Sequence, residues 1–477
     1  MGYSASYSGD LGLRVGGTAS GEFGAQATEW RDGSPVYDRG DTVCVIGAGP
    51  SGLTAIKNLR DHGFGVDCYE RETGVGGGWN WRHDRSPVSS GTHLISSKPF
   101  TQFPDFPMPD VWPDYPKHTQ MLKYLEHYAD HFELRPHIWF GTEVVRVEPA
   151  DQDRWDVTTR STGGYGGERI HRYTAVVIAN GHNWSPRMPE YEGIQDYKGE
   201  LIHAAAYKDS AQLRGRKVLV VGAGNTGCDV AVEAAQQAAR CWHSTRRGYW
   251  YAPKYALGRP TDQVNDMMLW LGLPLKLRQW LGQRTIRSEV GDLTRFGLRK
   301  PDHKIYEAHP IVNSLLVYYL GHGSITPVPD IKRFLRNSVE LTNGQEIEPD
   351  LVVLATGYKP VFDFIDPSLL NIDAEGKPRL ALHAFPKRQP TLAVAGLLQP
   401  DSGVFPLVHW QMVAFAKLLR LRDVAPAKAS AVQRHLDAEV GKRWSDAKVR
   451  PSPRHWFEVS HISYLKGIER LLKEVAA

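Results

Sequence analysis

The sequence predicts an α/β fold built from two dinucleotide-binding, Rossmann-like domains. The motif G-x-G-x-x-G occurs twice, at residues 47–52 and 222–227. Each copy lies between a short apolar run, the length of a buried parallel strand, and a run with helical character. Further apolar runs at 176–179, 351–354 and 392–395 have the composition of additional buried strands. Strands that alternate with helices in this way indicate parallel sheets.

The first glycine motif has the context that a pyrophosphate site requires. Gly47 permits the tight turn, Gly49 lets the backbone approach the phosphates, and Gly52 lets the helix pack closely on the strand. The free N–H groups at the start of that helix favour an anion. The cofactor contacts expected from this motif are Gly47, Ala48, Gly49, Pro50, Ser51 and Gly52.

An acidic residue ends the second strand of this unit. Glu70 lies 18 positions after Gly52, where a carboxylate that binds a ribose is expected. An acid at that position rejects a 2′-phosphate, so this unit suits FAD rather than NADPH. The glycine cluster that begins six residues later is either an ordinary loop or a second segment that contacts flavin. Its candidate contacts are Gly77, Gly78 and Trp79.

The second glycine motif precedes a helix predicted from Cys228 to about residue 239. The strand after that helix ends in two hydroxyl residues and two arginines, where the first unit has Glu70. A guanidinium binds a phosphate through two hydrogen bonds, so this charge reversal favours NADP; the alternative is that the arginines face solvent. The expected contacts are Gly222, Gly224, Asn225, Thr226, Gly227, Cys228, Ser244, Thr245 and Arg246.

Composition excludes several classes of protein. The 477 residues carry a net charge of +4, and the basic residues are scattered, so no nucleic-acid partner is expected. The four cysteines lack C-x-x-C spacing, which predicts buried thiols, a reducing, cytoplasmic location and no disulfide-reductase chemistry. No run of 18 apolar residues exists, so no integral membrane segment is expected.

The pattern along the chain predicts five regions. Residues 1–40 form an N-terminal extension, either a loosely packed arm or a segment that shapes a pocket. Residues 41–185 and 326–424 form the FAD-binding domain, and residues 186–325 form the NADP-binding domain with a helical insertion. Residues 143–147 and 155–159 predict an antiparallel hairpin. Residues 425–477 are expected to be a polar tail with one amphipathic helix over 464–475.

The helical insertion contains a basic amphipathic stretch over residues 267–281. Such a stretch could touch a membrane surface. Pro274 interrupts the pattern, which favours a packed helical pair instead.

A segment between the two units resembles the fingerprint F-x-G-x-x-x-H-x-x-x-F/Y of flavin-containing monooxygenases. Tyr197, Gly199, His203 and Tyr207 occupy its fixed positions, with Tyr in place of the first Phe. The two glycine motifs, the glycine cluster before Trp79, Ser-Ser-Lys at 96–98 and Ala-Thr-Gly-Tyr at 355–358 then follow the order typical of this family. The resemblance extends over about residues 41–420.

The resemblance implies an NADP domain inserted into the FAD domain and a small-molecule substrate oxidised with O2. NADPH would reduce FAD, and oxygen would add at flavin C4a. The resulting hydroperoxide would pass oxygen to a soft nitrogen or sulfur atom. Further cofactor contacts expected from it are Ile95, Ser96, Val144, His203, Thr356 and Gln399.

One position departs from the family pattern. The family usually has Asn directly before Ser-Ser-Lys, and this chain has Ile95. We predict that His93 supplies the missing polar group as a catalytic residue; the alternative is a surface loop histidine. A neutral His93 would favour the species that attacks ketones, so ketone oxidation should rise relative to sulfoxidation between about pH 6 and 8.

The N-terminal extension and His93 together resemble a bacterial subgroup that also performs Baeyer–Villiger oxidation and accepts NADH. Tyr207 favours heteroatom oxidation, because dedicated Baeyer–Villiger enzymes usually carry Trp at that position. A third reading is an NADPH-dependent electron-transfer reductase or a redox-binding module. That reading needs a docking surface, and the sequence offers no acidic or cysteine-rich patch for one. The oligomeric state is left open.

Overall fold

The computed structural model describes residues 27–31, 33–164, 166–308, 310–445 and 456–476. Residues 1–26 of the predicted N-terminal extension lie outside these ranges, so both interpretations of that segment stay predictions. Three five-stranded sheets organise the described part of the chain.

The first sheet carries the first glycine motif and is parallel throughout. Successive residues of its central strand point to opposite sides. Val43 and Val45 pack in a core with the helices, whereas Cys44 and Ile46 pack against the third sheet. The motif leads directly into the helix Pro50–Asp61, which packs against the helix Phe405–Val424. In spatial order the strands are Leu392–Val394, Ala175–Ile178, Thr42–Ile46, Gly65–Glu70 and Ile138–Phe140.

The second sheet carries the second glycine motif and is also parallel. The helices Asn225–Gln237 and Leu315–Gly321 cover one face. The motif's helix begins at Asn225, three residues before the predicted start, because Gly224 is its N-cap. In spatial order the strands are Glu200–His203, Leu351–Leu354, Lys217–Val221, Arg240–Ser244 and Ile325–Val328. A small antiparallel sheet of Ile331–Phe334, Val339–Leu341 and Glu346–Ile347 covers the other face.

The chain leaves the first sheet after Ile178, builds the second sheet, and returns to the first at Leu392. The second unit is therefore inserted into the first, as predicted. Its end differs from the predicted boundary at residue 325, because the strand Leu351–Leu354 pairs with Glu200–His203 and Lys217–Val221. A buried apolar strand has the same composition in either sheet, so the local sequence does not show to which sheet the strand belongs.

The third sheet contains the hairpin predicted for residues 143–147 and 155–159. The strands Thr142–Ala150 and Arg154–Ser161 pair in antiparallel register, which confirms it. Two strands from the predicted N-terminal extension join the same sheet, so that extension is not wholly an arm. The spatial order is Ala27–Arg31, Ser34–Asp38, Arg169–Tyr173, Arg154–Ser161 and Thr142–Ala150.

The predicted amphipathic helix of the C-terminal region is confirmed, but the region is not a polar tail. Two helices, Pro426–Glu439 and His461–Ala476, pack against the helix Phe405–Val424. The second begins three residues before the predicted 464. Each helix buries an apolar stripe in the core of the first unit. The apolar residues buried there are Ala429, Val432, Leu436, Tyr464, Ile468, Leu471 and Val475.

Residues 248–324, here called the insertion, contain a pair of helices separated at Pro274, as the sequence predicts. They are Thr261–Trp270 and Leu275–Val290. Trp270 and Trp280 are 81% and 56% exposed. The two helices are therefore not fully packed against the rest of the protein, in contrast to the packed pair that the sequence favoured. Within the described ranges, no helix is both long and apolar enough to cross a membrane.

Shorter elements connect these units. The helices Lys98–Thr101 and His118–His131 lie in the connection between the strands Gly65–Glu70 and Ile138–Phe140 of the first sheet. The paired short strands are Ser185–Pro186 with Tyr358–Lys359, Tyr251–Ala252 with Ile311–Val312, Tyr255–Ala256 with Arg259–Pro260, Leu380–Ala381 with Phe385–Pro386, and Gln399–Pro400 with Glu458–Val459.

Candidate active site

A cavity of about 1730 Å³ lies between the two glycine motifs. Its walls also include the turn Gly77–Trp79, residues 87–89 and 92–96, the insertion and residues 456–457. Most of the predicted site residues line it, namely Gly47, Gly49, Pro50, Ser51, Glu70, Gly77, Gly78, Trp79, His93, Ile95, Ser96, Val144, His203, Gly222, Gly224, Asn225, Thr226, Ser244, Arg246, Thr356 and Gln399.

The first glycine motif brings backbone close to backbone. Gly47 has a φ of +100°, which favours glycine, and a Cβ there would lie 2.8 Å from the Ala179 carbonyl oxygen. A Cβ on Gly77 would lie 2.9 Å from Cα of Gly49, so the two glycine segments meet closely at the wall. A pyrophosphate can approach such a backbone because no side chain stands in its way. The residues therefore fit the expected dinucleotide.

Glu70 is held in place by two main-chain N–H groups. Its Oε2 accepts a hydrogen bond from the Ala48 nitrogen at 2.7 Å, and its Oε1 accepts one from the Glu72 nitrogen at 2.9 Å. Burial raises the pKa of this carboxyl, although the two hydrogen bonds oppose that shift. The two hydrogen bonds thus fix the orientation of the carboxylate at the cavity wall. An acceptor for ribose hydroxyls needs such a fixed orientation.

The second glycine motif repeats this geometry. Gly222 has a φ of +124°, and a Cβ there would lie 2.3 Å from the Ala355 carbonyl oxygen. The Asn225 Oδ1 accepts a hydrogen bond from the Val312 nitrogen at 2.9 Å. This bond ties the motif to the insertion, so one wall of the cavity is shared between them.

Five predicted cofactor contacts lie behind the wall rather than on it: Ala48, Gly52, Gly227, Cys228 and Thr245. The two glycines sit where helix and strand touch. A Cβ on Gly52 would lie 1.8 Å from the Gly47 carbonyl oxygen, and one on Gly227 would lie 2.0 Å from that of Gly222. Both positions therefore serve helix packing, and they shape the loop without lining the cavity.

The other three residues behind the wall have main-chain or core roles. The Ala48 N–H is directed to Glu70. Cys228 is fully buried, with its Sγ 3.6 Å from the Ala223 carbonyl oxygen. Thr245 is buried, and its nitrogen donates to the Val328 carbonyl oxygen at 3.2 Å. All four cysteines of the chain are buried, as predicted, and none of them forms a disulfide.

The end of the strand Arg240–Ser244 brings positive charge to the cavity. Arg246 and Arg247 both line it, and Arg187 lines it from the connection between the two units. The Ser244 hydroxyl donates to the Pro329 carbonyl oxygen at 2.9 Å, so it shapes the strand end. Guanidinium groups in the cavity fit the phosphate of an NADP ribose.

His203 of the fingerprint is held in one tautomer. Its Nδ1 accepts from the Ala205 nitrogen at 3.1 Å, so Nε2 carries the proton and donates to the Gly357 carbonyl oxygen at 3.1 Å. Burial lowers the pKa of the ring, which favours this neutral form. The imidazole thereby joins the end of the second sheet to the loop that contains Thr356.

His93 lies on the wall that also carries Ile95 and Ser96. Its Nδ1 is 2.7 Å from the Gly91 carbonyl oxygen, so the neutral ring keeps its proton there and leaves Nε2 as an acceptor. Burial lowers the pKa of His93, and the positive charges of Lys254 and Lys117 lower it further. The neutral form of His93 is therefore favoured more than that of an ordinary histidine, although the Gly91 hydrogen bond opposes the shift and the side chain is exposed on the cavity wall.

A sequence model of the family described as "Flavin-binding monooxygenase-like" matches residues 40–475. The chain belongs to this family. Human "Flavin-containing monooxygenase 1" is 32% identical over 458 residues, which cover 91% of this chain and 83% of that protein. The "Dimethylaniline monooxygenase [N-oxide-forming] 2" of Rattus norvegicus is 31% identical over 415 residues, which cover 82% of this chain and 76% of that protein. This flavin-binding monooxygenase is thus an enzyme that uses FAD and NADPH.

Solved structures share the fold. An open crystal structure of cyclohexanone monooxygenase matches with a TM-score of 0.66 at 20% identity and covers 92% of this chain and 97% of that one. The S-allyl-L-cysteine S-oxygenase from Allium sativum matches with a TM-score of 0.63 at 20% identity, and the match covers 91% of this chain and 88% of that one.

Sequence reasoning missed several residues of this flavin-binding monooxygenase that line the cavity. Trp456 and Phe457 reach it because the strand Glu458–Val459 pairs with Gln399–Pro400. Asp229 lies one helical turn after Asn225, a spacing from which it could have been found. Burial raises the pKa of Asp229 to about 7, and Asn313 donates a hydrogen bond of 2.7 Å to its Oδ1.

Proposed function

We propose that this enzyme uses NADPH and O2 to oxygenate soft nitrogen or sulfur atoms of small molecules. The observation that carries the proposal is one cavity lined by both glycine motifs, by the segment that contains Ile95 and by an apolar part of the insertion. FAD, when bound, supplies the activation of oxygen. The names of two similar proteins, an N-oxide-forming monooxygenase and an S-oxygenase, support the same chemistry.

The protein's own residues then have binding and shielding roles. Gly47, Gly49 and the N-terminus of the helix Pro50–Asp61 would hold the pyrophosphate of FAD, and Glu70 would hold its ribose. Arg246 would bind the 2′-phosphate of NADPH. The insertion lines the cavity with apolar side chains that would exclude water from the reacting atoms, namely Met267, Met268, Leu271, Leu281, Ile286 and Ile305.

A second candidate function is Baeyer–Villiger oxidation of ketones. The position of His93 on the cavity wall favours it, because a neutral imidazole with an available Nε2 can accept a proton there. The resemblance to the bacterial subgroup that accepts NADH, carried by the N-terminal extension and His93, supports NADH as a second electron donor. We also infer a cytoplasmic location, because all four cysteines are buried free thiols.

The test is a product assay with the purified, FAD-loaded enzyme. Methyl phenyl sulfide, N,N-dimethylaniline and cyclohexanone are each incubated with NADPH in air, and the products are separated and quantified. We expect sulfoxide and N-oxide, with ester or lactone as the mark of the second function. NADPH consumption that yields hydrogen peroxide and none of these products would contradict both functions.

A further inference from the structure

Hydrogen bonds join the insertion to both ends of the segment 94–115. Lys254 Nζ donates to the Leu94 carbonyl oxygen at 3.2 Å, and the Tyr115 hydroxyl donates to the Lys254 carbonyl oxygen at 2.5 Å. At the exposed edge, the Tyr255 hydroxyl donates to Asp114 Oδ2 at 2.9 Å. The wall that carries Ile95 is therefore in direct contact with the insertion.

One of these contacts comes from a carboxylate at the cavity. Asp262 is the second residue of the helix Thr261–Trp270, and its Oδ2 accepts a hydrogen bond from the Ser97 nitrogen at 2.6 Å. The partners are 165 residues apart in sequence. Its Oδ1 accepts from the Gln263 nitrogen at 2.9 Å, so both oxygens are oriented by main-chain donors. Asp262 lines the cavity and is the partner of the Ser97 N–H.

The contact joins a fully buried residue to a half-buried carboxylate. Ser97 has no exposed surface, and the partial burial of Asp262 raises the pKa of its carboxyl. A carboxylate that is partly removed from water is costly unless donors satisfy it, and a buried N–H without an acceptor is costly too. Each group therefore stabilises the other. The bond between them holds the backbone that directly follows Ile95 and Ser96, together with the hydrogen bonds from the Leu94 nitrogen to the Pro116 carbonyl oxygen at 3.0 Å and from the Lys98 nitrogen to the Asp114 carbonyl oxygen at 2.7 Å.

The side chain of Ile95 cannot form a hydrogen bond that would hold this segment. Its neighbour Ser96 is engaged within its own loop, where its Oγ lies 2.9 Å from Thr101 Oγ1. We propose that Asp262 is a positioning residue, which fixes Ile95 and Ser96 on the wall of the reaction cavity through the Ser97 N–H. The insertion would thus set the shape of this wall in addition to covering it. The catalytic consequence rests on the proposed oxygenase function, whereas the positioning itself does not.

Hydrogen exchange tests the positioning without any turnover. Deuterium uptake at the Ser97 amide is measured by mass spectrometry at the resolution of single residues, with FAD bound. We expect Asp262→Ala to speed exchange roughly 10- to 150-fold, as the loss of a hydrogen bond to a charged group implies. Asp262→Asn keeps one acceptor oxygen, which can serve the Ser97 N–H while the Gln263 N–H loses its partner, so exchange at Ser97 should stay within roughly threefold of the wild type. Unchanged exchange in Asp262→Ala would overturn the proposal.

Tyr255→Phe is the matched control. It removes a hydrogen bond across the same interface at its exposed edge, away from the cavity lining. Exchange at Ser97 should stay at the wild-type rate in this variant. If Tyr255→Phe accelerates it as much as Asp262→Ala does, the whole interface and not Asp262 positions the segment, and the proposal fails. Asp262→Leu, which keeps the size of the side chain without an acceptor, replaces Asp262→Ala if that variant loses FAD.

The catalytic consequence is read as coupling, the fraction of consumed NADPH that yields sulfoxide and not hydrogen peroxide. Asp262→Ala should lower coupling at least about threefold at unchanged FAD content, and Asp262→Asn should restore it. Faster exchange at Ser97 with unchanged coupling would overturn the catalytic consequence alone. Wild-type enzyme that makes no oxygenated product at all, while Asp262→Ala still exchanges faster, would refute the proposed function and leave the positioning supported.

Discussion

Replacement of Glu70 by Gln tests the ribose site of FAD most sharply. The carboxylate accepts hydrogen bonds from the Ala48 and Glu72 nitrogens at 2.7 and 2.9 Å, and Gln keeps only one acceptor oxygen. The buried N–H that loses its partner costs roughly 1–3 kcal/mol in the free and the bound protein alike. Burial disfavours the charged form of Glu70 and so raises its pKa. Gln carries no charge and avoids this desolvation cost, so the two effects on the free energy of folding partly offset each other.

The effect on FAD affinity has no such compensation. A ribose hydroxyl that donates to a carboxylate contributes about 1.5–3 kcal/mol, so Glu70→Gln should weaken FAD binding roughly 10- to 150-fold. The dissociation constant is measured by titrating FAD into the apoprotein and following the quenching of flavin fluorescence. Asp350→Asn is the control, because Asp350 also accepts from a main-chain N–H, that of Lys217 at 2.7 Å, but does not line the cavity. A Glu70→Gln affinity within about twofold of the wild type would refute the assignment of the ribose site.

Arg246→Ala should lower kcat/KM for NADPH roughly 10- to 150-fold and that for NADH little, because only NADPH carries the phosphate that the guanidinium would bind; equal losses would contradict this. Gly52→Ala should abolish FAD retention, since its Cβ would lie 1.8 Å from a carbonyl oxygen, whereas Gly227→Ala should keep FAD absorbance and lose NADPH-dependent flavin reduction. The pKa of His93 is lowered from 6.5, so its neutral form prevails above a folded pKa that lies below 6.5. The ratio of ketone oxidation to sulfoxidation should therefore rise with pH mainly below pH 6.5, which corrects the window of about pH 6 to 8 predicted from the sequence for an unperturbed histidine. His93→Ala should flatten that rise; an identical profile in the variant would make His93 an ordinary wall residue.

The parts of the site that follow from short-range spacing could be predicted from the sequence. Each glycine motif, the strand before it and the residue that ends the next strand lie within about thirty positions, and the physics of the turn demands glycine there. Gly47 and Gly222 accordingly adopt positive φ angles beside a neighbouring carbonyl group. The same reasoning correctly expected Gly52 to serve helix packing, but it did not separate packing from exposure to the cavity.

Contacts between distant segments could not be predicted in this way. Asp262 meets Ser97 across 165 residues, and Trp456 reaches the cavity through a two-residue strand pair. Neither leaves a periodic pattern in the chain. The strand Leu351–Leu354 was assigned to the wrong unit for a related reason, because apolar composition predicts burial but not the sheet in which the strand is buried.

If the enzyme is an oxygenase, one oxygen atom of O2 is transferred to the substrate at the expense of NADPH. The most direct measurement is turnover of methyl phenyl sulfide under ¹⁸O2, with the label in the sulfoxide determined by mass spectrometry and NADPH consumption followed in parallel. We predict sulfoxide that carries one ¹⁸O atom, formed in nearly equal amount to the NADPH consumed. Unlabelled sulfoxide, or NADPH consumption that ends entirely in labelled hydrogen peroxide, would contradict this oxygen transfer.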